Sequence, residues 1–268
     1  MERFVSTYGM SSVSAPAFDR VALVTGGAIR VGAAIVRTLA REGWRVWVHH
    51  RSSHEQAQAL ARELGPAVLG LVRADLRDAA ARTKLCNTVV DQRSPSGGRL
   101  DLLVNSAASF EHGSFLQRQD DQLERVLQTN FVAPVSLVRG LAGPLASANG
   151  CVVNVLDLAS HQAWPGYLDH CSAKAALAMA TRVLAIELAP SIRVNGVSPG
   201  TVLWPDDTRY APGSPVRERI VAGIPLGTIG TPEDVSGAIV YLAAAKHVTG
   251  HVLVVDGGRS AAGGREYG

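Results

Sequence analysis

Residues Thr25-Gly26-Gly27-Ala28-Ile29-Arg30-Val31-Gly32 lie between a short apolar run, 21–24, and a segment in which Ile35 and Leu39 recur at helical spacing. Glycine has two uses in such a turn. It lets the chain reverse sharply, and it lets an anion approach backbone N–H groups at the start of a helix, where the helix dipole favours negative charge. Gly26 and Gly32 are assigned those jobs, so the chemistry expected of the turn is phosphate binding. Gly43 ends the helix. A second apolar run, 45–48, then closes a unit of about thirty residues, the size of one βαβ crossover.

His50, Arg51 and Ser52 follow that second run. A carboxylate there would accept hydrogen bonds from a ribose 2′-hydroxyl and select NAD. The chain has none. A guanidinium and a hydroxyl match a 2′-phosphate instead, through a charge-assisted fork, so the reading favours NADPH over NADH. His49, His50, His170 and Cys171 fit no zinc-ligand spacing and fall in different loops, so no metal is expected. Cys171 beside His170 is read as filler at a helix start rather than as a nucleophile.

These residues need elements to position them. Further apolar runs at 68–73, 100–104, 151–156, 192–197 and 251–255 read as strands. Helical patterns fall at 55–64, 78–92, 119–129, 131–147, with Pro134 in its first turn, and 171–188, with another opening at Thr231-Pro232 and leading to Tyr241. Strands alternating with helices predict an α/β fold: a doubly wound, mostly parallel sheet of about seven strands, with helices on both faces. Ligands of such sheets sit beyond the carboxyl ends of the strands. The loops at 25–32, 49–52, 74–76, 105–110, 156–170 and 198–204 should therefore gather at one rim. The irregular, proline- and glycine-containing stretch 202–231 reads as a mobile lid.

The chain has 268 residues, 47% hydrophobic and 18% charged, enough for one substantial core. A net charge of +3 with no basic run argues against a nucleic-acid partner. Three widely spaced cysteines give no disulfide framework, and a reduced cytoplasmic setting is expected. No uninterrupted apolar stretch reaches eighteen residues, so no transmembrane helix and no membrane partner are expected. Residues 1–18 read as a disordered leader, 19–258 as a single domain and 259–268 as a tail able to fold over a neighbouring subunit.

The turn Thr25-Gly26-x3-Arg30-x-Gly32 resembles the Thr-Gly-x3-Gly-x-Gly turn of the short-chain dehydrogenase/reductase family, with Arg30 in place of the middle glycine. The resemblance runs from about Arg20 to Gly258 and includes the ending 250–258. It implies a Rossmann-type domain and a nicotinamide dinucleotide held by Gly26, Arg30, Val31, Gly32, His50, Arg51 and Ser52. Asp75 would bond the adenine edge, with Leu76 beside it. Asn105, Ser106 and Ala107 would line the nucleotide groove, and Pro199, Gly200 and Thr201 would close over the nicotinamide.

The family's reacting residues are an Asn, a Ser, a Tyr and a Lys, with Tyr-x3-Lys on one helix. By resemblance Lys174 would depress the acid's pKa and hold the nicotinamide ribose, and Asn130 would be the asparagine. Two positions depart from the pattern. His170 stands where the tyrosine belongs and Asp157 where the serine belongs. Lys174 favours a neutral His170 ring and Asp157 a charged one; the sequence leaves that balance open. Tyr167 could bring a phenol into the substrate pocket, but it lies seven residues from Lys174, the wrong register for the tyrosine.

Asp157, Arg30, the run His49-His50-Arg51-Ser52-Ser53 and Ser109-Phe110 are similar to pteridine reductases within the family. That resemblance implies NADPH-dependent reduction of a C=N bond in a dihydropterin, a dihydrofolate or a related planar heterocycle. Phe110 would stack the ring, Asp157 would anchor it, and His170 with Lys174 would manage the proton. A carbonyl reductase or alcohol dehydrogenase of the broader family is one alternative. An NADP-binding homologue whose redox chemistry has lapsed is another. Family members pair through helices near 119–147 and 171–188, which implies a homodimer or homotetramer.

Overall fold

The computed structural model describes residues 20–262; the expected leader, 1–18, and the end of the tail, 263–268, lie outside them. The first crossover is β1 (Arg20–Val24), α1 (Arg30–Arg41) and β2 (Trp44–His50). The first half of the sheet is completed by α2 (His54–Leu64), β3 (Val68–Arg73), α3 (Ala79–Val90) and β4 (Leu102–Asn105). Then come α4 (Asp120–Leu127), α5 (Ala133–Gly140), α6 (Ala142–Ser147), β5 (Cys151–Val155) and α7 (Leu168–Glu187). The chain continues through β6 (Arg193–Pro199), α8 (Pro215–Ala222), α9 (Pro232–Ala244) and β7 (Val252–Val255).

The seven strands form one sheet in the order β3-β2-β1-β4-β5-β6-β7, and every pair is parallel. Burial on both faces explains the unbroken apolar runs. In β1, Val21 and Leu23 join the core under α3, α5 and α7, while Ala22 and Val24 join the core under α1 and α9. Strand order reverses between β1 and β4, the place where a doubly wound sheet opens a crevice.

Two helices depart from the expected boundaries. The predicted helix 131–147 is not continuous: Leu141 leaves helical geometry between α5 and α6, next to Gly140 and Gly143. A π-helical turn, Gln128–Val132, joins α4 to α5 and carries the buried Asn130. The helix expected at 171–188 begins three residues earlier, at Leu168, which brings His170 into its first turn. The stretch 202–231 is partly ordered, by a short 3-10 turn, Thr208–Tyr210, and by α8.

Candidate active site

The strand ends converge on one cavity of about 920 Å³. Every residue predicted to touch cofactor or substrate lines it except Asn105, and of the predicted catalytic group only Asn130 lies off its wall.

The glycine turn works partly as expected. Gly26 adopts φ +63, and a Cβ there would meet the Ala107 backbone at 3.0 Å. Gly32 allows close packing of the turn on itself, because its Cβ would sit 2.1 Å from the Gly26 carbonyl oxygen. Its small size therefore serves the chain first and a ligand second. Arg30 adopts φ +53, a left-handed conformation that explains why glycine is at home there. Its Nη2 donates to the Trp204 carbonyl at 3.1 Å and so ties the turn to the stretch after β6. Arg30→Gly is expected to remove that tie and to raise stability in denaturant unfolding by up to about 1 kcal/mol. A clear loss of stability would contradict the strain.

The wall suits a phosphorylated dinucleotide on three observations. Ile29 at the N-cap of α1 supplies no side-chain acceptor, and the first turn of α1 has no acidic residue. The buried His50 Nδ1 has no hydrogen-bond partner. The Arg51 guanidinium on the same wall makes no ion pair with the described residues. The positive charge rests on Arg51, since burial first, and then His54 and Arg73, lower the pKa of His50. Asp75 reaches the wall already gripped by the Arg77 guanidinium, which holds its carboxyl down to about 2. Asn105 stands behind the wall: its Nδ2 donates to Asn154 Oδ1 at 2.9 Å, and Asn154 Nδ2 donates to Thr181 Oγ1 at 2.9 Å. Its role is to tie β4 and β5 to α7. Thr25, which the sequence reading passed over, fixes the neighbouring loop, accepting from the N–H groups of Ser106 and Ala107 at 2.9 and 3.0 Å.

At the reacting end, Lys174 Nζ donates to the Val155 carbonyl at 2.6 Å. Burial pushes its pKa down to about 8, with the Asp157 carboxylate opposing. His170 Nε2 lies 3.3 Å from Asp157 Oδ2, and Asp157 Oδ1 accepts from the Ala159 N–H. Asn130 grips Ser109 at both ends, accepting from its N–H at 2.7 Å and donating to its carbonyl at 2.8 Å. His170 Nδ1 lies 3.2 Å from that same carbonyl and 3.3 Å from Asn130 Nδ2. If Nδ1 carries hydrogen it donates to the Ser109 carbonyl; if bare it accepts from Asn130. Under either tautomer the Nε2–Oδ2 contact needs a proton on one of its two atoms, because two bare acceptors would repel.

Phe110 stacks on Tyr167, with ring centroids 4.5 Å apart and planes 20° apart, and lies T-shaped to His170 with centroids 4.9 Å apart. Tyr167 is buried behind Phe110, and its hydroxyl lies 3.1 Å from that of Tyr210. Burial, then Tyr210, raise its pKa to about 12, so the phenol stays protonated and latches the stretch after β6. Sequence reasoning missed Trp164, Trp204 and Tyr210 on the same wall, which no local pattern marks. It also missed Arg118, whose guanidinium is buried against the Asp169 carboxylate at the start of α7. Among the described residues no three metal-ligating side chains come together, and no helix is long and apolar enough to cross a membrane.

A parallel sheet with a glycine turn at its switch point and a buried lysine beside the Asp157–His170 pair is an arrangement suited to a dinucleotide-dependent oxidoreductase. The family model described as enoyl-(acyl carrier protein) reductase matches residues 27–260. A ketoacyl reductase of granaticin polyketide synthesis from Streptomyces violaceoruber is 33% identical over 242 residues, covering 89% of this chain and 95% of its own. Pteridine reductase 1 of Leishmania tarentolae is 33% identical over 281 residues, covering 90% and 96%. The crystal structure of a dehydrogenase/reductase from Sinorhizobium meliloti superposes with a TM-score of 0.82 at 32% identity, over 90% of this chain and 95% of that one. The chain belongs to the short-chain dehydrogenase/reductase family and is an oxidoreductase of that family.

Proposed function

We propose that the protein is an NADPH-dependent reductase of the pteridine-reductase type, adding hydrogen across a C=N bond of a dihydropterin, a dihydrofolate or a related planar heterocycle. The carrying observation is Phe110: 40% exposed on the cavity wall, it stacks on Tyr167 and abuts His170, which pairs with the Asp157 carboxyl group on the same wall. A flat heteroaromatic ring is the ligand that uses all three.

When bound, the dinucleotide supplies the hydride. The N–H groups opening α1 would hold its pyrophosphate, Arg51 and His50 the 2′-phosphate, and Lys174 the nicotinamide ribose. Phe110 holds the substrate plane. The proton shared by Asp157 and His170 would pass to the ring nitrogen and, with the hydride added at the adjacent carbon, convert C=N into a neutral CH–NH, after which solvent would return a proton to the pair. Ser109 and Asn130 fix the imidazole in place.

The test is NADPH oxidation with dihydrobiopterin, dihydrofolate and a panel of ketones. Turnover of the pterins supports the proposal. Turnover of ketones alone supports the carbonyl-reductase reading, which the ketoacyl-reductase relative favours. Silence across the panel with intact NADPH binding would mean the redox chemistry has lapsed. Arg51→Glu is expected to shift selectivity from NADPH toward NADH by roughly a hundredfold or more, because a carboxylate would face the 2′-phosphate. Unchanged selectivity in steady-state kinetics would remove Arg51 from the phosphate site. A homodimer or homotetramer is proposed as well, supported by an exposed apolar stripe on α7 formed by Met179, Val183 and Ile186.

A further inference from the structure

We propose that His49 is the positioning residue of the cofactor turn: its neutral ring, accepting from Gly26 and donating to Ala74, holds the turn in its phosphate-receiving shape. The inference rests on reading 25–32 as the dinucleotide turn.

The ring is buried at the end of β2. Its Nδ1 is 3.0 Å from the Gly26 nitrogen and its Nε2 is 3.1 Å from the Ala74 oxygen. An amide N–H can only donate and a carbonyl can only accept, so the two contacts together admit one tautomer, Nδ1 bare and Nε2 protonated. The His49 backbone adds a third tie, its carbonyl accepting from the Gly27 N–H at 2.9 Å. One residue thus fastens the cofactor turn to the ends of β2 and β3.

Gly26 is the pivot of the turn. Its left-handed backbone, with no room for a Cβ against Ala107, fixes where Gly32 and the opening of α1 lie. With its N–H taken by His49, Gly26 has no N–H to offer a ligand, and the anion is left to the amides opening α1. Protonation would place an N–H of the ring against the N–H of Gly26 and release the clamp. Burial, with His50 acting in the same direction, lowers the His49 pKa to about 4, although the Ala74 carbonyl and Asp75 oppose it. The clamp is therefore closed at neutral pH.

The experiment compares NADP⁺ binding by calorimetry in the wild type, His49→Phe and His49→Asn, with thermal unfolding of each. Phenylalanine keeps the ring but loses the acceptor. Asparagine places an oxygen where Nδ1 lies and loses only the Ala74 bond. The dissociation constant is expected to rise roughly tenfold or more for His49→Phe and to stay within about threefold of wild type for His49→Asn. Unchanged binding in His49→Phe, or equal weakening in both variants, overturns the proposal. Should His49→Phe not fold, ¹⁵N-histidine NMR of the wild type near neutral pH still decides: a bare Nδ1 and a protonated Nε2 are expected, and the opposite tautomer overturns the clamp. A wild type that binds no nicotinamide dinucleotide defeats the cofactor reading instead, and the tautomer with the exchange protection of the Gly26 amide then judges the clamp alone.

Discussion

Asp157→Asn and His170→Phe are each expected to lower kcat by about 10²–10⁴-fold, the usual worth of a positioned proton donor. Each change takes away one of the two atoms between which the proton resides. The double variant should be little worse than either single one, since the residues act as a unit. Additive losses would mean that the two side chains work separately. On the proposed reading, wild-type turnover should also fall as pH rises through about 8, where the buried Lys174 loses the charge proposed to hold the ribose. Its native pKa lies below the unfolded value of 10.5, so the unfolded chain binds the extra proton between about 8 and 10.5. Stability contributed by this group therefore rises with pH across that window while activity falls.

Arg118→Met is expected to cost about 3–5 kcal/mol in chemical denaturation, the scale for stranding one partner of a buried ion pair. Asp169 is 1% exposed and its partner 6%. The guanidinium also donates to the carbonyls of Gly113 and Gly166, at 3.2 and 3.1 Å. Removing it leaves a carboxylate in the first turn of α7, next to His170, with no cation to balance it. Adding Asp169→Leu to Arg118→Met should recover most of the loss, because the buried charge goes with it. A double variant as unstable as the single one would assign the loss to the two carbonyls.

The fold was legible because its strands are buried on both faces, so each read as an apolar run between turn residues. The glycine turn and the cation after β2 were legible because each is a short local run, whereas Asp157, His170 and Lys174 stood out only through the family resemblance. What escaped was settled across the chain. The start of α7 carries no side-chain cap at Tyr167; it is fixed by Arg118, 51 residues before Asp169. Asn105 looked like a groove residue because it ends β4. The two-residue period of the strand puts its side chain on the face of Leu103, toward Asn154, and only the packed sheet reveals that. Tyr167 lines the cavity, but its hydroxyl partner, Tyr210, sits 43 residues on.

The widened turn at Gln128–Val132 makes the rod from Asp120 to Gly140 a keyed part. It accommodates one surplus residue, and that surplus lets Asn130 face Ser109 while Ala133, Leu137 and Val138 still seat in the core. Trimming a single residue there would rewind the rod and put its two halves out of phase. Insertions and deletions should thus be tolerated in loops such as 93–99, whereas the rod should not tolerate a change in its number of residues.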